Sequence, residues 1–149
     1  MITVLVVDDH ARIRESLVEM LSLSGDIDVV GECTDGDEVP AAYRRLQPDV
    51  VLMDVVMQRV DGLSATRRLL AEQPDARVVL LTGTVSATLV RQAVEAGAVG
   101  YQVKGEDPAA LAGLLRRVAH GGTAWSPRAM SLLPRPDGNG NEGQGALGP

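Results

Sequence analysis

Aromatic residues are nearly missing from this chain of 149 residues: phenylalanine is absent, and tryptophan and tyrosine together supply only 2%. The hydrophobic share is nevertheless 45%, so the interior has to be built from Val, Leu, Ala and Met. Aliphatic cores of this kind suit α/β folds, and the length fits one ordinary domain plus a tail. The scarcity of rings also argues against a flavin carrier, which needs aromatic side chains to enclose its cofactor.

A basic excess and a set of cysteines are missing as well. The formal net charge is -6, so no cationic stripe is expected and we predict no direct nucleic-acid binding by this segment. The single cysteine, Cys33, excludes an internal disulfide and a cysteine metal cluster, which favours a reducing, cytoplasmic setting. The first apolar run ends at Asp8 without a basic flank, so neither a signal peptide nor membrane association is predicted.

Five short apolar runs, most of them apolar on both faces, predict five strands. They are Ile2–Val7, Ile27–Cys33, Val50–Met53, Val78–Leu81 and Val99–Val103. The stretches between them have helical periodicity, including Asp37–Leu46 with Pro40 in its first turn. Five strands alternating with five helices predict a flavodoxin-like doubly wound α/β sandwich, with a five-stranded parallel sheet in the order 2-1-3-4-5.

The end of the last helix sets the predicted domain boundary. Asp107 and Pro108 are typical of a helix start, and Gly121-Gly122 is typical of its end. Pro134–Pro149 is rich in Gly, Pro and polar residues and has no apolar period. We therefore predict one domain over residues 1–122 and a linker or disordered tail over residues 123–149.

Polar residues emerge where the predicted strands end: Asp8, Asp9, Asp54, Thr82 and Lys104. The carboxyl ends of parallel strands share one edge, so three carboxylates converge there and repel one another unless a cation sits among them. Mg²⁺ suits such oxygen ligands and bridges to phosphate. Asp9 has an alternative role as the N-cap of the first helix. The two histidines, His10 and His120, are interpreted as surface residues and not as zinc ligands.

These residue types match phosphoryl transfer, which requires positioning and charge stabilisation. Asp54 would attack phosphorus as a carboxylate nucleophile and form an acyl phosphate. Lys104 and the metal would offset the charge on the phosphoryl oxygens, and the Thr82 hydroxyl would donate a hydrogen bond to one of them.

Five segments together resemble the receiver domain of two-component response regulators: VLVVDDH (residues 4–10), PDVVLMDVVM (48–57), DGL (61–63), VVLLTG (78–83) and AGAVGYQVK (96–104). The resemblance implies that Asp54 accepts phosphate from a phosphohistidine of a sensor kinase, and that the domain catalyses its own phosphorylation and dephosphorylation. It also implies Asp8, Asp9 and the Val56 carbonyl as Mg²⁺ ligands, Thr82 as the switch hydroxyl, Tyr101 as the switch aromatic and Lys104 as the phosphate partner.

The DDH motif and the GYxxK ending resemble the NarL-type branch, whose members usually carry a C-terminal LuxR-type helix-turn-helix that binds promoter DNA. The resemblance implies transcription regulation through such a domain, which this sequence does not contain, and a homodimer on phosphorylation. The alternative is a stand-alone receiver acting through protein–protein contacts. An enzymatic alternative, a Mg²⁺-dependent phosphatase with an aspartyl-phosphate intermediate, typically has a second acid where this chain has Val56. A receiver that is not phosphorylated is disfavoured by the complete set of polar residues.

The loop after the acceptor departs from the family. It usually reads MPGMDG, and here it is Met57-Gln58-Arg59-Val60-Asp61-Gly62. Replacing the Pro and the Gly removes a rigid turn and adds a charge beside the site, so the loop geometry and the phosphate lifetime are open questions. Gly105 also stands where many receivers have proline.

Overall fold

A single parallel sheet forms the centre of the molecule. The computed structural model describes residues 1–105 and 107–133. Within these residues six strands pair, all in parallel, in the order β2-β1-β3-β4-β5-β6. The strands are β1 (Ile2–Val7), β2 (Ile27–Cys33), β3 (Val50–Asp54), β4 (Val78–Thr82), β5 (Gly100–Val103) and β6 (Ala124–Trp125).

Helices cover both faces of this sheet. They are α1 (Ala11–Ser22), α2 (Val39–Leu46), α3 (Gly62–Glu72), α4 (Ala87–Ala96), α5 (Pro108–Ala119) and α6 (Pro127–Ser131). Strand residues alternate between two cores: Leu5 and Val7 pack towards α2, α3 and α4, whereas Val4 and Val6 pack towards α1 and α5. The predicted flavodoxin-like α/β fold is confirmed. None of the described helices is both long enough and apolar enough to cross a bilayer.

The prediction of five strands and five helices is wrong by one element of each kind. A two-residue strand, β6, extends the predicted order 2-1-3-4-5 beyond β5, and the short helix α6 follows it. Two residues are too few for an alternation pattern, so the sequence carries no strand signal there. The linker or disordered tail predicted for residues 123–149 is described as far as residue 133 and contains β6 and α6 there, and residues 134–149 lie outside the described residues.

Local signals in the sequence fix the helix ends. Asp61, Ser86 and Asp107 each precede a helix, and their side chains accept hydrogen bonds from backbone N–H groups of the first turn. The second helix begins at Val39 and not at Asp37, because residues 36–38 form a separate 3₁₀ turn. Pro40 lies in the first turn of α2, as predicted.

Candidate functional site

Three carboxylates meet at the carboxyl edge of the sheet. Asp8 and Asp9 directly follow β1, and Asp54 is the last residue of the adjacent strand β3. Asp8 and Asp54 are almost completely buried. The start of α3 lies close to this strand, since a Cβ on Gly62 would come within 2.2 Å of the Asp54 carbonyl oxygen. Only glycine therefore fits at this position.

Lys104 reaches the same place from the end of β5. Its backbone N–H donates to the Thr82 carbonyl at 2.7 Å, which fixes where the side chain starts. The ammonium group lies 2.9 Å from Oδ2 of Asp54 and 3.3 Å from Oδ2 of Asp8. The structure thus brings together the lysine and two of the acids that the sequence placed at three separate strand ends.

Burial and charge act in opposite directions at this cluster. Burial raises the pKa of Asp54, and the ammonium of Lys104 opposes that shift while the Asp8 carboxylate adds to it. Burial alone would lower the pKa of Lys104, but its contacts with Asp54 and Asp8 hold that pKa above the ordinary value. Asp8, Asp9 and Asp54 together exceed the single ammonium by two negative charges.

Two carboxylate oxygens are left without hydrogen bonds. Oδ2 of Asp8 and Oδ1 of Asp9 are buried, and the nitrogens nearest to them are not placed with hydrogen-bond geometry. Ligand atoms of Asp8, Asp9, His10 and Asp54 all lie within 4.8 Å of one another. Uncompensated buried acceptors with an excess of negative charge fit a divalent cation, so this group could hold a metal ion.

Thr82 and Tyr101 lie on the paired strands β4 and β5. Thr82 is the buried last residue of β4, and its hydroxyl accepts from the Thr84 N–H at 3.4 Å. The Tyr101 ring is completely buried, and its hydroxyl donates to the Thr84 carbonyl at 3.0 Å. Both predicted switch residues therefore contact the same residue in the segment between β4 and α4.

Val56 contributes to the site through its backbone. Its N–H donates to Oδ1 of Asp54 at 3.2 Å, and the residue is 68% exposed. Each carboxylate oxygen of Asp54 thus has one donor, the Val56 amide on one side and the Lys104 ammonium on the other. These two contacts fix the orientation of the Asp54 carboxylate.

A buried aspartate that the sequence reasoning missed orders the unusual loop after Asp54. Asp35 is 3% exposed and accepts from the N–H groups of Arg59 at 2.9 Å and Val60 at 2.8 Å. The Arg59 guanidinium also donates two hydrogen bonds to the Asp37 carboxylate. The charge that replaces the usual glycine is therefore paired with the Asp37 carboxylate. No pattern in the sequence signals this long-range contact.

His10 was also assigned too simple a role. It is exposed, as predicted for a surface residue, but its Nδ1 lies 3.0 Å from Oδ1 of Asp9 and 3.9 Å from Oδ2 of Asp54. It occupies the N-cap position of α1, so the alternative role of Asp9 as that N-cap is wrong. The DDH tripeptide alone could have suggested this proximity, because His10 directly follows the two aspartates.

A doubly wound parallel sheet with an acidic cluster and a lysine at its carboxyl edge defines a class of α/β domains that bind a cation beyond the strand ends. The family model for the response regulator receiver domain matches residues 4–116. The chain therefore belongs to the response regulator receiver domain family, and the resemblance seen in the sequence is confirmed.

The curated relatives include a response regulator and a transcriptional regulatory protein. GacA of Pseudomonas aeruginosa is 41% identical over 133 residues, covering 89% of this chain and 62% of that protein. The transcriptional regulatory protein LiaR of Bacillus subtilis is 38% identical over 121 residues, covering 81% and 57%. The chain thus spans about three fifths of the length of these relatives.

Solved structures agree with this assignment. A LuxR-family two-component response regulator from Aurantimonas sp. SI85-9A1 superposes with a TM-score of 0.83 at 32% identity, covering 87% of this chain and 92% of that one. The signal receiver domain of the response regulator NarL from Mycobacterium tuberculosis gives a TM-score of 0.77 at 32% identity, covering 80% and 97%.

Proposed function

We propose that this chain accepts a phosphoryl group on Asp54 from a phosphohistidine of a sensor kinase, with Mg²⁺ as cofactor. The observation that carries the proposal is the pair of contacts from the Lys104 ammonium to Asp54 at 2.9 Å and to Asp8 at 3.3 Å, in a site with an excess of negative charge. Asp8, Asp9, Asp54 and the Val56 carbonyl are the proposed Mg²⁺ ligands. Bound there, the ion would supply positive charge to the phosphoryl oxygens.

The residues of the chain have separate roles in this transfer. The Asp54 carboxylate attacks phosphorus, the bond from phosphorus to the donor nitrogen breaks, and the imidazole leaves with that electron pair. The Lys104 ammonium then contacts a phosphoryl oxygen, and the Thr82 hydroxyl donates to another. The same groups, with water as the nucleophile, catalyse dephosphorylation. We place the whole site within a receiver domain of residues 1–122, followed by a linker or tail.

The switch that we propose starts at Thr82. A phosphoryl group adds about 1.5 to 2 negative charges at Asp54, and the Thr82 hydroxyl moves toward it. The Tyr101 side chain moves with it, because the Tyr101 hydroxyl donates a hydrogen bond to the carbonyl of Thr84, two residues after Thr82. A complete change from 1:99 to 99:1 would require about 5.5 kcal/mol of differential interaction, so a partial shift is expected. The surface of α4, β5 and α5 would then form a homodimer.

The lengths of the relatives bear on the output of this receiver. GacA and LiaR exceed this chain in length, and LiaR is described as a transcriptional regulatory protein. We propose transcription regulation through a DNA-binding domain outside this sequence, with a receiver that acts by protein–protein contacts as the alternative.

Labelling with acetyl phosphate tests the acceptor. We expect incorporation of one phosphoryl group in the presence of Mg²⁺, and its loss in Asp54→Asn, because the amide is not a nucleophile. Asp75→Asn is the matched control, since Asp75 is an exposed acid that precedes β4, at the opposite end of that strand from Thr82. Retained labelling in Asp54→Asn, or labelling that does not require Mg²⁺, would contradict the proposal.

A further inference from the structure

His10 faces the acidic cluster although it belongs to none of the predicted ligands. Its backbone N–H donates to Oδ1 of Asp8 at 2.8 Å, which fixes the residue at the end of the cluster. The side chain makes no capping hydrogen bond to α1. Its ring nitrogen Nδ1 instead lies 3.3 Å from Oδ1 of Asp8 and 3.0 Å from Oδ1 of Asp9. The imidazole is thus held against the carboxylates.

We propose that His10 is a metal ligand and that this is a mixed nitrogen–oxygen site, which takes imidazole-preferring divalent ions such as Co²⁺, Ni²⁺ and Zn²⁺ more tightly than Mg²⁺. The inference deepens the proposed function, because it concerns the cation site at Asp54. It adds one ligand, which strengthens the preference for these ions beyond what the oxygen ligands alone would give.

The spacing of the donor atoms fits coordination of one shared metal ion. With bonds of about 2.1 Å, neighbouring ligands of an octahedral ion lie about 3 Å apart and opposite ones about 4.2 Å apart. Nδ1 of His10 lies 3.0 Å from the Asp9 oxygen and 3.9 Å from the Asp54 oxygen. All four donor atoms are within 4.8 Å of one another, so small side-chain adjustments suffice for shared coordination.

The carboxylates supply the independent evidence that a cation belongs here. Asp8 is completely buried, and its Oδ2 makes no hydrogen bond although the Lys104 ammonium lies 3.3 Å away. Oδ1 of Asp9 lies 3.0 Å from the imidazole nitrogen and is also buried without a hydrogen bond. A metal ion bound between these oxygens and His10 would compensate both acceptors at once.

The nitrogen ligand decides which ions are preferred. Mg²⁺ takes oxygen ligands and retains its waters, so it gains little from an imidazole. Later transition metals bind imidazole well, and their affinity rises along the series from Mn²⁺ to Ni²⁺. The His10 ring is 60% exposed, which leaves it free to reorient toward an incoming ion. The site therefore discriminates between the two classes of ion through a single side chain.

Calorimetric titration of the full chain with Co²⁺ and with Mg²⁺ tests the proposal. In His10→Ala we expect Co²⁺ to bind at least about 10-fold more weakly, because loss of even an outer partner of a metal site costs roughly 10- to 100-fold. Mg²⁺ binding should change less than about twofold, since its ligands remain. Because His10 makes no side-chain cap, alanine leaves the start of α1 as it is. His120→Ala is the matched control and should bind both ions as the wild type does.

A second measurement separates ligation from a structural effect. In His120→Ala, His10 is the one remaining histidine, so its ring C–H proton signals are assigned without ambiguity. Binding of paramagnetic Co²⁺ to the ring should shift them far outside the normal range. Unshifted signals would overturn the proposal, as would equal weakening of both ions, or of neither, in His10→Ala. Acetyl phosphate labelling of wild type and Asp54→Asn in Mg²⁺ alone decides the proposed function separately.

Discussion

Asp35 holds the loop after Asp54 in place, although it is distant from that loop in the sequence. Its two carboxylate oxygens accept from the consecutive N–H groups of Arg59 and Val60, in place of the turn that Pro and Gly would form. Burial alone would raise the pKa of Asp35. The N–H groups of Arg59, Val60 and Gly36 instead hold that pKa below its ordinary value. A depressed pKa means that the ionised form stabilises the folded state.

Replacing this carboxylate should weaken the fold in a pH-dependent way. We expect Asp35→Asn to lower the free energy of unfolding by about 1–3 kcal/mol at pH 7, because one oxygen becomes an amide facing an N–H donor. Since the folded pKa is lowered, the advantage of the wild type is full above the ordinary Asp pKa. This advantage disappears as the pH falls from the ordinary Asp pKa toward the lowered pKa of Asp35 in the folded state. Urea unfolding at several pH values measures it.

Asp37→Asn is the matched control for this prediction. Asp37 pairs with the Arg59 side chain at the surface, so its loss should cost no more than about 1 kcal/mol. Equal effects of the two substitutions, or a cost of Asp35→Asn that grows toward acid pH, would contradict the assigned role of Asp35.

At the scale of elements, the contact between β5 and β6 depends on the absence of a side chain. A Cβ on Gly100 would lie 2.7 Å from the Ala124 carbonyl oxygen and 2.9 Å from the Ala124 Cβ. These atoms are the backbone and the Cβ of Ala124, so they cannot move away without a shift of β6 itself. The buried Gln102 side chain also donates to the Ala124 carbonyl at 2.6 Å. Strand β6 is thus fixed by β5 and not by its own pattern.

Gly100→Ala should therefore destabilise the protein by about 1–3 kcal/mol through overpacking. Gly113→Ala is the control within α5, where an added Cβ meets nothing within 4 Å. That substitution should stabilise by about 0.5–1 kcal/mol, because alanine loses less backbone entropy in a helix. Thermal unfolding of both variants measures whether each substitution raises or lowers stability. An unchanged stability of Gly100→Ala would contradict the close approach of Gly100 to Ala124.

The coupling between phosphorylation of Asp54 and dimerisation can be tested on the two tyrosines of the chain. We expect Tyr101→Phe to retain acetyl phosphate labelling but to dimerise less on phosphorylation, because the bond to the Thr84 carbonyl is lost. Tyr43→Phe, on α2 at the other end of the sheet order, should assemble as the wild type does. Light scattering with and without acetyl phosphate measures the difference. Unchanged dimerisation of Tyr101→Phe would exclude this hydrogen bond from the switch.

At the scale of the whole molecule, we expect the segment beyond residue 122 to contribute to the stability of the fold and not to the phosphorylation chemistry. Every proposed site residue precedes it, whereas β6 and α6 lie within it. We expect a chain of residues 1–122 to be labelled by acetyl phosphate as fully as a chain of residues 1–133. It should be less stable by about 1–3 kcal/mol, because the backbone bonds to Val99 and Tyr101 are worth about 0.5–1.5 kcal/mol each. Equal stability would place the end of the folded unit at residue 122.

Local information was sufficient for most of the fold and for the reacting groups. Apolar runs, helical periods and caps such as Asp107 are properties of neighbouring residues, and they predicted five strands and five helices in the right order. Asp8, Asp54 and Lys104 could be placed together because parallel strands end at one edge. Their contacts of 2.9 Å and 3.3 Å agree with that inference.

The sequence alone therefore determined the doubly wound sheet and the acidic edge with its lysine, since both follow from short-range pattern and strand direction. Tertiary structure alone decided the sixth strand, the support of the loop by Asp35 and the approach of the His10 ring to Asp54 on another strand. These features depend on distances between side chains and backbone groups of different elements. Periodicity carries no information about such distances, because they are set only when the elements pack.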